Sequence, residues 1–177
     1  MPQGQKYGSD LDLVDLTYDG TFKDILYDGL GQLMDGEEGQ ANFRLDPLDH
    51  STKGSKWIGW RNDSFPGQPL SIVFKFDAVR NFSMVQIHCN NKFSKDVRVF
   101  RLANVYFSSE GKVFLNSPSV EYTYARDAQM EYARSIRISL NNNIGQFVKL
   151  ELYFDDKWIM ISEIQFESGN CLFSRFK

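Results

Sequence analysis

Along most of this chain apolar and polar residues alternate with a period of two. The pattern runs through LDLVDLTYDG (11–20), LSIVFKFD (70–77), MVQIHC (84–89), VRVFRLANVYF (97–107), VEYTYA (120–125), SIRISL (135–140), FVKLELYF (147–154) and WIMISEIQF (158–166). Successive side chains of a strand point to opposite faces, so each segment reads as a strand with one face in a core and one in water. The apolar positions favour β-branched and aromatic residues, as strands do. Turn chemistry separates the segments: Gly67-Gln68-Pro69, Ser108 to Gly111, Asn116 to Ser119, Asn141 to Asn143, and Asp155-Asp156, the last predicted to close a hairpin. Only RDAQMEYAR (126–134) is compatible with a helix, and it is short. About eight strands with no alternating helices predict an all-β fold, an antiparallel jelly-roll β-sandwich with long loops, rather than an α/β enzyme fold.

No internal repeat or low-complexity linker interrupts this pattern. Residues 10–168 therefore parse as one domain, with 1–9 as a linker remnant and 169–177 as a tail outside it. With 42% hydrophobic and 24% charged residues over 177 positions, the chain can bury a core and is not of disordered composition. Its 20 basic and 23 acidic residues leave no bulk positive charge to hold a nucleic-acid backbone. No apolar run approaches the roughly 18 to 20 residues that cross a bilayer. The first residues, MPQGQKYGSD, lack the charged-then-apolar pattern of a signal peptide, as would a segment internal to a longer secreted protein. Cys89 and Cys171 are too few for a disulfide framework, and no second Cys or His lies at zinc spacing; Cys89 reads as a buried thiol.

Enzyme chemistry finds little support. His88 adjoins Cys89, but neighbours on a strand face opposite ways and cannot form a nucleophile–base pair. Phosphate-binding loops of the Gly-x-x-x-x-Gly-Lys type are absent. The segment GLGQLMDGEEG (29–39) is more informative, because glycines and acids together make a tight turn region rich in side-chain and carbonyl oxygens. Such donors suit a hard cation such as calcium, although the spacing is not that of an EF-hand and a solvated acidic turn has the same composition. Asn62-Asp63-Ser64 and Asn81-Phe82-Ser83 are glycan acceptors if the chain is extracellular.

Six strings, in order and spacing, carry a resemblance: LTYDG (16–20), GLGQLMDGEEG (29–39), WIGWRNDSF (57–65), FKFDAVRNF (74–82), VQIHCNN (85–91) and DKWIMISEIQF (156–166). Together they resemble the discoidin-like domain, the second extracellular module of the discoidin domain receptors, which are collagen-activated receptor tyrosine kinases. The resemblance covers about residues 11–168 and implies a jelly-roll sandwich, in agreement with the strand pattern. It implies a non-catalytic module on the extracellular face of the plasma membrane, beside a discoidin domain that makes most of the collagen contact, in a single-pass receptor able to form homodimers. It also turns the reading of the acidic loop toward calcium. Position by position, the oxygens come from Gln32, Asp35, Glu37 through its backbone carbonyl, Ser162 and Glu163, with further carbonyls at Val14 and Ser55. Asn62 matches a glycan site of the family; Asn81 is the second candidate.

This chain departs from the family in two respects. The positions of the family's internal disulfide are occupied by Val105 and Leu150, so both half-cystines are replaced by apolar residues. No kinase domain lies in these residues, so any kinase activity belongs to a parent protein. The alternative reading is a stand-alone discoidin-type domain that binds a glycan or anionic lipid through its loops, with aromatics such as Phe65 as anchors.

Overall fold

The computed structural model describes residues 21–22, 25–26, 33–34, 36, 38–43 and 56–170. Among them lie eight strands: β1 (Thr21–Phe22), β2 (Ile25–Leu26), β3 (Ile58–Arg61), β4 (Leu70–Cys89), β5 (Leu102–Ser108), β6 (Val120–Thr123), β7 (Arg134–Tyr153) and β8 (Trp158–Asn170). β1 and β2 form a small hairpin, and the other six make one antiparallel sheet in the order β3-β8-β4-β7-β5-β6. The fold is all-β and antiparallel, a jelly-roll sandwich, as the alternation implies. The segment 11–20, read as a strand, lies outside the described residues, as do 1–9 and 171–177.

One ladder makes both layers because its two long central strands bend. Phe74 pairs with Val148 on β7, while Val85, eleven residues further along β4, sits opposite Phe166 on β8. In a straight strand eleven residues span about 36 Å. The rings of Phe74 and Phe166 are nevertheless 5.0 Å apart, so β4 doubles back over itself. The bend lies at register shifts between Lys75 and Arg80 and between Phe82 and Met84. On β7 it lies near Asn141 and Asn142, whose φ angles of 54° and 57° fall in the left-handed region that Asn tolerates. The fold thus joins segments 70–77 and 84–89 into one strand, and 135–140 and 147–154 into another. The residues between them make irregularities within continuous strands, and on β7 this replaces the turn expected at Asn141 to Asn143.

Three further expectations are corrected. Asp155-Asp156 does not close a hairpin, because β7 and β8 are not neighbours; β4 lies between them. The end of β7 pairs with the first half of β4 and β8 with its second half, so residues 154–157 cross from one layer to the other. Arg126 on Asp155 (3.0 Å) and Arg98 on Asp156 (3.1 Å) hold the crossing. Residues 97–101 bury Val97, Val99 and Phe100 but make only one parallel bridge, Val97 to Trp158, before the ladder begins at Leu102. Residues 126–133 form no helix: Asp127 Oδ1 accepts from the Gln129 and Met130 amides, a local turn that competes with helical bonding.

Between the layers, Phe74, Phe82, Ile72, Val85, Ile87, Ile138, Leu150 and Leu152 are fully or almost fully buried, and Phe76, Phe107 and Phe166 pack against them. Their rings meet edge-on or tilted, 4.7–5.9 Å apart, the geometry that aromatic quadrupoles favour. Cys89 is a free thiol in this core, and burial pushes its pKa well above the ordinary range. A second small cluster of Trp57, Val97 and Met160, with Phe43, Ala133 and Trp158 against it, forms separately from the main core.

Candidate functional site

The acidic loop is seated at the end of β4 by a row of side chains whose placement follows from register. His88 on β4 lies between Ser135 on β7 and Glu163 on β8, so the three share one row of the sheet. The next pairing on β8 skips a residue: His88 faces Glu163, but Cys89 faces Ile161. Ser162 is therefore the extra residue of a bulge. On a regular strand Ser162 and Glu163 would point to opposite faces. The bulge allows both to serve one loop. Glu163 Oε2 accepts from the Gly36 amide at 3.2 Å, and Ser162 Oγ accepts from the Gly39 amide at 3.0 Å.

Three successive carbonyls of the loop are taken by three more side chains, one on β4 and two next to strand ends. His88 Nε2 donates to the Gly39 carbonyl (3.2 Å), Trp57 Nε1 to that of Gln40 (3.0 Å) and Asn90 Nδ2 to that of Ala41 (3.1 Å). The indole of Trp57 stacks on His88 with ring centres 5.4 Å apart, and Leu33 plugs the loop into the main core. Two glycines are required here. Gly36 has φ of +80°, and a Cβ on Gly39 would stand 2.3 Å from Trp57 Nε1. Glu38 adds a lateral tie: Oε2 lies 3.4 Å from His88 Nδ1, and Oε1 accepts from Ser135 Oγ at 3.3 Å.

Of the residues implied as calcium ligands, Ser162 and Glu163 are brought together at this loop, both buried, with Glu163 only 3% exposed. Gln32, Asp35, Glu37, Val14 and Ser55 lie outside the described residues, though Leu33, Met34, Gly36 and Glu38 between and beside them do not. Among the described residues no three His, Cys, Asp or Glu side chains converge on one point. The donors in view fit calcium by their chemistry. A carboxylate and a hydroxyl are hard oxygen ligands, and a carboxylate this deeply buried needs strong compensation, of which a metal ion is one form. Of the glycan candidates, Asn62 is exposed in a short 3₁₀ turn, its Nδ2 donating to the Asp156 carbonyl at 3.2 Å. Asn81 is half-buried within β4, paired on both sides, with its Oδ1 buried and unpartnered. Phe65 is half-buried and packs on Phe154, centres 5.9 Å apart.

Sequence reasoning placed Glu38 and Gly39 in the acidic segment but did not assign His88, Asn90, Trp57 or Ser135 to it. A signal was present in the sequence, since His88, Asn90 and Asn91 cluster at the end of a strand, and in the structure all three are buried. Buried polar groups have partners, and such a cluster announces a segment folded over the strand end. Asn91 completes the pattern on the other side, donating to the Asp127 and Met130 carbonyls. The strings that carry the family resemblance thus meet here: WIGW supplies Trp57, HCNN supplies His88 and Asn90, and SEI supplies Ser162 and Glu163.

Comparison with known proteins gives the same family. A family model described as "Discoidin domain-containing receptor 1/2, DS-like domain" matches residues 1–168. The chain is 36% identical over 160 residues to discoidin domain-containing receptor tyrosine kinase B of Caenorhabditis elegans, covering 88% of this chain and 19% of that protein. It is 32% identical over 157 residues to epithelial discoidin domain-containing receptor 1 of Rattus norvegicus, covering 88% and 17%. Among solved structures, CpGH89CBM32-6 of Clostridium perfringens aligns with a TM-score of 0.45 at 17% identity, over 78% of this chain and 83% of that one. The chain spans less than a fifth of the length of these curated relatives, and the stretch matched is the discoidin-like domain, not a kinase domain. By the family model and by relatives above 30% identity, this chain belongs to the discoidin-like (DS-like) domain family of the discoidin domain-containing receptors.

Proposed function

We propose that this chain is a non-catalytic extracellular module of a collagen-binding receptor tyrosine kinase, and that it carries a structural calcium ion in the 32–37 loop. Membership of the DS-like family supports the receptor role. The observation that carries the calcium reading is the seating of the loop on Ser162 and Glu163, which brings a buried carboxylate and hydroxyl to the residues flanking Asp35 and Glu37. Asp35 and Glu163 supply negative charge, Gln32 an amide oxygen, and the carbonyls of Glu37, Val14 and Ser55 the rest of a shell of six to eight oxygens. Such an ion would tie the loop near residue 35 to the last strand, at residue 163. Its role in this reading is architectural, a hard cation bridging the loop to the last strand. Collagen is bound chiefly by a neighbouring discoidin domain, which this module supports and whose signal it transmits toward the membrane.

Thermal unfolding of the chain in millimolar calcium and again in excess chelator tests the metal. A ligand that binds only the native state at a hundred times its Kd adds about 2.7 kcal/mol. In a domain of this size that raises Tm by about 5–11 °C. Equal melting temperatures overturn the calcium site. Collagen binding by this chain alone, and joined to the adjoining discoidin domain of its parent, tests the receptor role. Strong binding is expected only when the two are joined, and equal binding with and without that partner overturns the supporting role.

A further inference from the structure

Gly39 is held on three sides at once. Its amide donates to Ser162, its carbonyl accepts from His88, and its α-carbon abuts the Trp57 indole. Each hold is a direct contact between protein groups. Gly39 also lies two residues beyond Glu37 and four beyond Asp35 in the sequence.

His88 suits this position in a way that a simple donor does not. A carbonyl oxygen can only accept, so the nitrogen facing Gly39, Nε2, carries the proton. The opposite nitrogen, Nδ1, lies 2.9 Å from Ser135 Oγ and 3.4 Å from Glu38 Oε2, while the ring face rests on Trp57. One flat ring thereby ties together β4, β7, Trp57 and two consecutive loop residues, Glu38 and Gly39. We infer that His88 is a positioning residue for the acidic loop. With Ser162 and Trp57 it anchors Gly39 to the sheet through protein groups, a fixed point next to the segment that would offer Asp35 and Glu37 to calcium. The inference rests on the calcium reading above. Its physical content is preorganisation, because a loop ordered only at the moment of binding would lose that ordering free energy from its affinity.

The test measures calcium affinity of the 177-residue chain by titration calorimetry, at temperatures well below unfolding, together with amide hydrogen exchange across residues 36–43 in excess chelator. His88→Ala is expected to weaken calcium binding about tenfold or more, the usual effect of removing a group that orients metal ligands. It should also speed exchange of the Gly36 and Gly39 amides without calcium. His88→Gln places an amide nitrogen near the position of Nε2 and is expected to recover most of both effects. A merely structural histidine would lower Tm in the variant but leave the calcium Kd unchanged. Calcium binding by the wild type with the same Kd and exchange in His88→Ala overturns the positioning role alone. A wild type that takes up no calcium overturns the calcium reading and the inference with it, and faster exchange in His88→Ala would then mark the clamp as architectural. Should His88→Ala not fold, Ser135→Ala, which removes only the hydroxyl at Nδ1, decides on the same two readouts: looser binding and faster exchange support the inference, and wild-type values overturn it.

Discussion

Val105 on β5 and Leu150 on β7 are direct cross-strand partners, and neither exposes any surface. They occupy the two positions at which the family resemblance implies a disulfide, so an apolar contact stands where a covalent bridge is expected. Directly opposed residues of antiparallel strands have Cα atoms about 4.5–5.5 Å apart, within the roughly 4.4–6.8 Å that a disulfide spans. Val105→Cys combined with Leu150→Cys is therefore expected to form a bridge on oxidation. The chain-entropy model gives about 4 kcal/mol for closing a loop of about 45 residues, and engineered bridges commonly deliver less. The oxidised double variant should melt several degrees above its reduced form, and equal melting with and without reductant would refute the geometry.

Gly39→Ala should be among the more damaging single-methyl additions in the domain. The new Cβ would stand 2.3 Å from Trp57 Nε1 and 2.4 Å from the adjacent ring carbon, and the indole is held by its bond to the Gln40 carbonyl and its stack on His88. Overpacking of a fixed group costs about 1–3 kcal/mol. Here the least costly response is release of the loop, which breaks the bonds from Ser162 and His88 together. The expected result is a lower Tm with calcium affinity reduced in step. Trp57→Leu in the same chain should make the alanine far less costly, a coupling that a double-mutant cycle measures.

The strand alternation made the fold class legible because burial on one face of a sheet writes itself into sequence with a period of two. It could not show that β4 and β7 run unbroken through Asp77 to Ser83 and Asn141 to Gln146. Polar residues and left-handed Asn serve a bulge as readily as a turn, and only the pairing of both halves with different partners tells them apart. The Asp155-Asp156 error has the same root, since a bent β4 puts the end of β7 and the start of β8 in different layers. At the site, Ser162 and Glu163 were named through the family resemblance. Alternation alone would have set them on opposite faces, and the bulge that brings both to one loop leaves no local mark. His88 and Asn90 carried a readable signal, buried polarity at a strand end, whose partner segment lies about fifty positions earlier.

When the protein passes through a secretory pathway, Asn62 is expected to carry a glycan and Asn81 to remain bare. Asn62 projects from an exposed 3₁₀ turn, and its bond to the Asp156 carbonyl uses one amide hydrogen and leaves the other for the sugar linkage. Asn81 lies in a central strand between Ile144 and Gly169, with its carbonyl oxygen shielded from solvent. Peptide mass spectrometry of protein secreted from mammalian cells reads each site directly. Full occupancy at Asn81 in folded protein would contradict its placement in β4.

Asp127 sets an acid limit on the 126–134 segment. The Gln129 amide, the Arg134 guanidinium and the Met130 amide hold its carboxyl down to about 2, against an ordinary value of 3.8. Glu131 in the same segment is also held down, through Ser94 and Lys92. A depressed folded-state pKa means that ionisation favours the native state. The stabilisation is complete above the unfolded value and disappears as pH falls through the folded one. Asp127→Asn keeps an oxygen for the two amides but loses the charge facing Arg134. The Tm difference between wild type and this variant should be constant above about pH 5 and shrink toward zero between about pH 4 and pH 2. Sodium chloride should reduce that difference, because the pair is partly solvated. A difference that persists unchanged at pH 2 would mean that shape, not charge, accounts for the role of Asp127.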